Sequence, residues 1–182
     1  NVEKLKYYSP SETTKIYSSN GELLASLYKE NREWVNIDKI PKNMINAIIA
    51  IEDSRFYKHS GISFRDIARA AYIDFQHKTA SQGASTITQQ LARNIFLYPT
   101  ASLRRKVREA LLAVQIEKKF TKQEILELYL NQIYFGSGAY GIQAAAKTYF
   151  NKDVSKLTLP ECAMLAGLPA APSDYSPLVN PE

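Results

Sequence analysis

Residues 41–61 read PKNMINAIIAIEDSRFYKHSG, and their periodicity predicts a helix that ends at an acidic residue. At 3.6 residues per turn, one face of this helix carries Ile45, Ile49, Glu52 and Phe56. A carboxylate thus occupies a position where the pattern calls for an apolar side chain. Such a conflict is typical of functional residues, because burial disfavours the ionised form of a carboxyl group. The alternative is that Glu52 lies at a frayed helix end and faces water beside Arg55.

Helical periodicity runs from Pro41 onward, whereas the first 40 residues contain a small hairpin. The Asn20-Gly21 dipeptide favours the positive φ angles of a tight turn, and it lies between the strand-like stretches 14–19 and 22–28. Helix starts carry a hydroxyl residue followed three positions later by an acid or amide, namely Ser63/Asp66, Thr86/Gln89, Thr121/Glu124 and Thr158/Glu161. Helices are predicted near residues 42–54, 64–76, 86–96, 101–119, 122–133, 140–150 and 159–167. The sequence therefore predicts a mostly α fold with an N-terminal β-hairpin.

The length and composition indicate one globular domain. Of the 182 residues, 45% are hydrophobic and 23% are charged, so disordered and collagen-like classes are excluded. The single cysteine, Cys162, excludes an internal disulfide and a cysteine-based zinc cluster. No apolar stretch approaches the roughly 18 residues of a membrane-spanning helix. We predict a single domain over residues 1–182, with a hairpin region at 1–40, a helical region at 41–182 and a polar, mobile stretch at 76–83.

The net charge of +5 is concentrated in residues 101–123, which contain seven basic and two acidic residues. The helix predicted there carries an apolar stripe that consists of Leu103, Val107, Ala110 and Val114. On one flank, Lys106 and Glu109 lie side by side, while Arg104, Arg105 and Arg108 fan out on the other side. Internal ion pairs on a solvated helix are one interpretation, but Arg105 before Glu109 is the less favourable order for pairs worth only about 0.2–0.5 kcal/mol. We therefore favour a site for a phosphate-type anion near a reacting centre.

A third candidate segment is QGASTITQQ at residues 82–90. It places backbone amides, hydroxyls and carboxamides at a helix start, where the helix dipole favours anions or sugar hydroxyls. Capping accounts fully for Thr86 and Gln89, but it does not account for Ser85 or Gln90. The segment by itself is compatible with a structural role or with ligand binding.

Taken together, five ordered motifs resemble the glycosyltransferase domain of class A penicillin-binding proteins of the 1A type and their monofunctional peptidoglycan glycosyltransferase relatives. The resemblance extends over residues 33–181. The motifs are EDSRFYKHSG at 52–61, QGASTITQQL at 82–91, RKVRE at 105–109, KQEILELYLN at 122–131 before Gly136, Gly138 and Gly141, and LPE at 159–161 with LAGLP at 165–169. The resemblance implies a lysozyme-like, two-lobed helical fold in which the smaller lobe dips into the membrane.

The resemblance also implies a reaction and its site. Such enzymes polymerise lipid II by joining the anomeric carbon of a lipid-diphosphate-linked glycan to the 4-hydroxyl of an incoming lipid II, and undecaprenyl diphosphate leaves. Glu52 is then the general base on the acceptor hydroxyl, and Glu109 is the second acidic residue, near the diphosphate. The residues assigned to substrate binding are Asp53, Ser85, Thr86, Gln90, Arg105 and Lys106. Conversion of an α-linked diphosphate into a β-1,4 bond implies inversion by direct attack, without a covalent enzyme intermediate.

Partners and location follow from the same resemblance. We expect contacts with lipid II, the growing lipid-linked glycan strand and the membrane surface, at the extracytoplasmic (periplasmic) face of the cell membrane. The membrane-dipping lobe is placed around residues 64–100, where 94–98 supply aromatic and aliphatic side chains. An N-terminal anchor and a C-terminal transpeptidase domain are expected in the full-length protein, and nucleic acid is not an expected partner. No cofactor is required; a divalent cation, Mg²⁺ or Mn²⁺, could assist the leaving group, although no ligand cluster in the sequence indicates one.

Two other classes of protein are alternatives. A lysozyme-like hydrolase or lytic transglycosylase that acts on preformed peptidoglycan would share the carboxylate cleft, but it has no need of an anion site at Arg105 and Lys106. A non-enzymatic helical module that binds nucleic acid through residues 104–108 would show steeply salt-dependent binding without turnover.

Overall fold

In a computed structural model of the chain, helices form most of the molecule. The structure describes residues 2–8, 13–28, 30–65, 67–69, 85–97 and 102–180. The helices are α1 (Lys42–Glu52), α2 (Ile87–Phe96), α3 (Leu103–Glu117), α4 (Lys122–Gln132), α5 (Ile142–Phe150) and α6 (Leu159–Gly167). The strands are β1 (Thr14–Tyr17), β2 (Leu23–Leu27), β3 (Asn31–Arg32) and β4 (Ala139–Tyr140). The predicted mostly α fold with an N-terminal hairpin is confirmed.

Two short sheets organise the N-terminal part of the chain. β1 pairs antiparallel with β2, with Thr14 opposite Leu27, around the predicted turn, where Gly21 has a φ of 85°. β3 pairs in parallel with β4 across more than 100 residues of chain, which ties the segment before α1 to the segment after α4. No local sequence pattern predicts the pairing of β3 with β4, because each strand is only two residues long.

The core forms where α1 packs against α6 and where α2 packs against both α3 and α4. Its fully buried side chains include Met44 and Ile48 of α1, Leu91 of α2, and Tyr129 and Leu130 of α4. Each such side chain stabilises the fold by roughly 1.5–3 kcal/mol relative to exposure. α2 therefore holds a central position between α3 and α4, both of which follow it in the sequence.

Capping confirms three of the four predicted helix starts. In α2 the hydroxyl of Thr86 accepts from the N–H of Gln89 at 3.1 Å, while the Thr86 N–H donates to the Gln89 side chain at 3.0 Å. α4 and α6 begin with the corresponding pairs at 121/124 and 158/161. The fourth pair includes residue 66, which lies outside the described residues, as do most of the helix predicted at 64–76 and the stretch 76–83.

The cap of α6 makes a pH-dependent contribution to stability. Lys152 Nζ lies 2.6 Å from Glu161 Oε1, and the Thr158 N–H donates to Oε2. The Lys152 ammonium and the Thr158 cap lower the pKa of Glu161 from 4.5 to about 2. Because this pKa is depressed in the folded state, the carboxylate stabilises the fold above about pH 4.5, and the contribution is lost as the pH falls toward 2. We expect the difference in free energy of unfolding between wild type and Glu161→Gln, measured by urea unfolding, to become smaller as the pH falls from about 6 to about 3. A difference that does not change with pH would contradict the role of the Glu161 carboxylate.

Gly61 is a position where an added side chain is expected to clash with the backbone of α3. Its φ is 95°, and an added Cβ would lie 2.8 Å from the backbone carbonyl of Ala113 in α3. We expect Gly61→Ala to lower the free energy of unfolding by about 2–4 kcal/mol, because a backbone clash adds to left-handed strain. The matched control is Gly138→Ala, at a φ of 78° with nothing within 4 Å, which should cost only about 1–2 kcal/mol. If urea titrations gave the same loss of unfolding free energy for both variants, α3 would be able to move away from the new methyl group at residue 61 without a free-energy cost.

Candidate active site

Glu52 is the last residue of α1, and its carboxylate is held by a neighbouring helix. The side-chain amide of Gln90 in α2 donates to Glu52 Oε2 at 2.7 Å. The hydroxyl of Tyr129 in α4 donates to Gln90 Oε1 at 3.1 Å. Glu52 is half-buried, so it is an ordered carboxylate with access to solvent rather than a residue at a frayed helix end.

Tyr129 orients this arrangement from inside the core. Its side chain is fully buried. Burial, followed by the nearby charge of Glu52, raises the pKa of Tyr129 well above 10, so its hydroxyl stays protonated and acts as a donor. Because Gln90 Oε1 accepts this bond, the NH₂ end of the amide is turned toward Glu52. Sequence reasoning missed Tyr129, since a hydroxyl on a buried helix face leaves no local signal.

Asp53 and Thr86, both assigned to substrate binding, are buried and bonded within the protein. Both oxygens of Asp53 lie 2.9–3.0 Å from Nε2 of His59, and the N–H of Ile87 donates to Asp53 Oδ2 at 3.1 Å. The Thr86 hydroxyl donates to the carbonyl of Gly61 at 2.7 Å. These bonds tie the chain after α1 to the start of α2. Contact of Asp53 and Thr86 with substrate stays a prediction. Their bonds to Ile87 and Gly61 hold the end of α1, and with it Glu52, near α2.

Glu109 lies on the buried face of α3 and is fully buried. Arg105 Nε is 3.1 Å from Glu109 Oε1, and Lys106 Nζ is 3.2 Å from Oε2. Lys106 also donates to the hydroxyl of Ser85 at 2.5 Å. Both cations keep part of their side chains exposed. They therefore connect a buried acid with the accessible surface of the molecule.

The argument from charge order against internal ion pairs on this helix was wrong. That order matters by a few tenths of a kcal/mol for pairs on an exposed helix surface. A charge as buried as Glu109 costs several kcal/mol unless cations accompany it. Burial of Glu109 therefore decides the pairing. The residues predicted to bind an anion, Arg105 and Lys106, both form ion pairs with this carboxylate.

The segment from Ser85 to Gln90 joins the two acidic centres. Ser85 is bonded to Lys106, beside Glu109, and Gln90 is bonded to Glu52. Ser85 precedes the N-cap of α2 and Gln90 lies near the start of the helix, so the two anchor points are five positions apart in the sequence. The carboxylate of Glu52 and the cation pair at Glu109 are thus both bonded to one short stretch of chain.

A cavity of about 470 Å³ opens beside Arg105. Its polar and aromatic lining consists of one acid, two arginines, two amides and two tyrosines, namely Glu30, Arg93, Asn94, Arg105, Gln132, Tyr134 and Tyr140. The rings of Tyr134 and Tyr140 lie 4.7 Å apart between centroids. Guanidinium groups suit phosphate oxygens, and aromatic faces suit the apolar side of sugar rings. Sequence reasoning identified only Arg105 here, because the other residues come from α2, the end of α4, β4 and their neighbouring loops.

The predicted membrane lobe is only partly described. Phe96 and Leu97 are half-buried, and Phe96 packs against the core. Residues 70–84 and 98–101 lie outside the described residues. None of the described helices is long and apolar enough to cross a bilayer. Within the same described ranges, no three His, Cys, Asp or Glu side chains form a group that could hold a metal ion.

Comparison with known proteins gives concordant matches. Residues 20–182 match the family model described as Transglycosylase. The chain is 51% identical over 170 residues to penicillin-binding protein 1F of Bacillus subtilis (strain 168), with 93% of this chain and 24% of that protein covered. It is 56% identical over 165 residues to penicillin-binding protein 1A of Escherichia coli (strain K12), with 91% and 19% covered. The chain thus spans about a fifth to a quarter of these relatives.

A solved structure also aligns with the chain. It is the crystal structure of penicillin-binding protein 1A from Haemophilus influenzae, with a TM-score of 0.47 and 27% sequence identity. The alignment covers 94% of this chain and 16% of that chain.

Proposed function

The chain belongs to the transglycosylase family, as a domain of the type found in class A penicillin-binding proteins, and we propose that it polymerises lipid II into β-1,4-linked glycan strands during bacterial cell-wall synthesis. The observation that supports this proposal is that two charged centres are both bonded to the segment 85–90. One centre is a carboxylate held by an amide, and the other is a cation pair seated on a buried acid. A transfer from a diphosphate needs both a general base and stabilisation of the leaving anion.

Glu52 is the proposed general base. Gln90 occupies Oε2 of the carboxylate, which leaves Oε1 to take the proton from the 4-hydroxyl of the acceptor glycan. The acceptor oxygen then bonds to the anomeric carbon of the donor as the bond from that carbon to the diphosphate oxygen breaks. The electron pair of the broken bond leaves on undecaprenyl diphosphate. One direct displacement converts the α linkage into a β linkage, with no covalent intermediate on the enzyme.

Arg105 and Lys106 are proposed to balance the charge that grows on the leaving diphosphate. Glu109 positions both cations, since each lies within 3.2 Å of one of its oxygens. The cavity beside Arg105 offers room for the phosphates or for the sugar attached to them. A Mg²⁺ or Mn²⁺ ion does not fit the described residues as a protein-held metal, because the oxygens of Glu109 face cations. No step of the proposal depends on a metal.

The decisive experiment incubates the chain with purified lipid II in detergent. Long glycan and free undecaprenyl diphosphate are the expected products. The second candidate, a lysozyme-like hydrolase or lytic transglycosylase, would leave lipid II unchanged and would shorten preformed glycan. The partly exposed cations beside Glu109 favour the transferase, because cleavage of preformed glycan releases no diphosphate. Cleavage of preformed glycan without polymerisation would overturn the proposal.

Lys106→Ala tests the role of the cation pair. We expect kcat/KM for lipid II to fall by roughly 10- to 100-fold, because a charge-assisted contact to the diphosphate is worth about 1.5–3 kcal/mol. Continuous detection of released diphosphate measures the effect. Lys106→Arg keeps the charge and should retain more activity than the alanine variant. Lys156→Ala, on the exposed surface, is the matched control, and equal rates for the 106 and 156 alanine variants would remove Lys106 from the site.

The proposed substrate also fixes a location. Undecaprenyl chains keep lipid II in the bilayer, so we place the domain at the extracytoplasmic face of the cell membrane. The growing lipid-linked glycan strand is its second partner. An N-terminal anchor and a C-terminal transpeptidase domain in the full-length protein are supported by the length of the relatives, of which this chain covers 19–24%.

A further inference from the structure

A cavity of about 370 Å³ lies between the first turns of α1 and α4, and none of the residues assigned to catalysis or substrate binding lines it. Its floor is apolar, because Ile40 and Leu126 are buried and Ile45 packs against the core. At its edge stands Tyr57, which is 61% exposed. An apolar floor with a few polar groups at the edge, in a cavity of this size, is typical of sites for small ligands. This Tyr57 cavity has no part in the proposed reaction step.

Bonds within the protein hold the walls of the Tyr57 cavity. The N–H of Ile37 donates to Glu127 Oε2 at 2.8 Å, which fixes the turn before α1 to α4. On the other side, Lys122 Nζ lies 4.3 Å from the centre of the Phe56 ring. The rings of Phe56 and Tyr57 meet edge to face, with 5.3 Å between their centroids. The exposed ring of Tyr57 is therefore braced by a fully buried ring and has a defined position without a ligand.

The polar groups at the edge of the cavity are unused, and their charges cancel. Asp38, Asn46 and Gln123 make no side-chain hydrogen bond or ion pair within the part of the chain that the structure describes. Asp38 and Lys42 supply one charge of each sign. The cavity beside Arg105, by contrast, is lined by two arginines and one acid. The Tyr57 cavity therefore suits an uncharged ligand with several hydrogen-bonding groups better than it suits a phosphate.

We propose that the Tyr57 cavity binds a sugar unit of the glycan strand. A sugar ring has an apolar face that packs on an aromatic ring, and its hydroxyl and acetamido groups bond to carboxylate and amide side chains. The ring of Tyr57 supplies the first contact, and Asp38, Asn46 and Gln123 supply the second. A purely apolar ligand would fill the floor of the cavity, but it would leave these polar groups without partners.

This inference rests on the proposed function, because polymerisation of lipid II supplies the strand. Asn46 lies six residues before Glu52 on α1, which is about 9 Å along the helix axis. Tyr57 follows Glu52 by five residues. Sugars of a strand that reacts at Glu52 are thus within reach of the cavity, while the reacting bond and the diphosphate lie outside it. A strand held there stays bound between successive additions, so the cavity lengthens the glycan product.

Calorimetric titration of the 182-residue chain with chitotetraose, an uncharged oligomer of N-acetylglucosamine, tests the proposal. Wild type should bind it, and Tyr57→Ala should bind it about 10-fold more weakly, as for loss of an aromatic anchor. Tyr57→Phe keeps the ring and should bind like wild type. Tyr175→Ala is the matched control, because Tyr175 is also 61% exposed, and it should have wild-type affinity. Added salt should leave the affinity unchanged, since the ligand carries no charge.

Glycan length is the second measurement. With lipid II in detergent, Tyr57→Ala should form the first glycosidic bond at a rate within about twofold of wild type, because Glu52 and the cation pair are unaltered. The glycan that accumulates should be shorter, because the strand dissociates more often between additions. Asn46→Ala, which removes an exposed amide, should weaken chitotetraose binding by about threefold and shorten the glycan less. Urea unfolding of each variant confirms that the protein assayed is folded.

Several results would overturn the inference. They are failure of wild type to bind chitotetraose, equal affinity of wild type and Tyr57→Ala, and binding that added salt abolishes, which would assign the cavity to a charged ligand. Glycan of wild-type length from Tyr57→Ala would likewise remove the cavity from strand retention. If wild type binds chitotetraose and Tyr57→Ala binds it more weakly, but neither polymerises lipid II, the proposed function fails while the sugar site stands.

Discussion

Replacing Glu52 with glutamine is expected to lower the rate of glycan polymerisation by about 10²- to 10⁴-fold, the range typical for loss of a general base. Glutamine has nearly the same shape and cannot accept the proton of the acceptor hydroxyl. The bond from Gln90 can persist, since the new side chain still offers a carbonyl oxygen at the same place. The loss should therefore appear in kcat, measured with lipid II, while the fold remains intact.

Two controls distinguish loss of the general base from loss of folded protein in the Glu52→Gln experiment. Urea unfolding of Glu52→Gln should remain within about 1 kcal/mol of wild type, because the residue is half-buried and keeps its partner. Glu22→Gln makes the same chemical change at an exposed position in the hairpin turn and should leave the rate unchanged. A Glu52→Gln enzyme that polymerises at a near-normal rate would remove Glu52 from the role of base.

Glu109→Gln is expected to reduce both activity and stability. The neutral amide no longer holds Arg105 and Lys106, which then repel each other beside a group that cannot compensate their charge. We expect the free energy of unfolding to fall by about 2–4 kcal/mol, which is less than the roughly 3–5 kcal/mol for a fully buried pair because Arg105 and Lys106 are partly exposed. The rate of polymerisation should fall by roughly 10²-fold or more as the cations leave their positions. Urea titration and the lipid II assay measure the two effects.

Glu117→Gln is the matched control for Glu109→Gln. Glu117 lies on the same helix, its carboxylate is largely buried, and it accepts bonds from Lys122 and Thr88 at 2.6 Å. This variant should lose a comparable amount of stability but much less activity when both proteins are assayed in the folded state. Equal losses of activity in the two variants would show that Glu109 acts only through the stability of α3.

Much of the fold could be predicted because short-range bonds determine it. Asn20-Gly21 sets the hairpin, and the Thr86/Gln89 pair sets the first residue of α2. The predicted helix ends agree with the structure to within about two residues wherever the structure describes them. Pairing of β3 with β4 could not be predicted, since it depends on two segments that are far apart in the sequence.

The candidate site divides in the same way. Glu52 was identified because its charge contradicts the apolar pattern of its own helix, which is a local property. Tyr129 was missed, because its bond to Gln90 joins two helices through the core. The ion pairs of Glu109 were judged unfavourable from charge order, since the burial that makes them necessary is created by packing against other parts of the chain.

By itself, the sequence determined where the helices and the hairpin begin and which residues carry the acids, cations and apolar stripe. Only the tertiary structure decided which side of α3 is buried. Glu109 turns inward below the partly exposed Arg105 and Lys106, while Leu103 and Val107 of the predicted stripe, together with Leu111, turn outward. The physical reason is that periodicity defines the faces of a helix, but the segments that pack against it, here α2 and the chain around Gly61, select the face that loses contact with water.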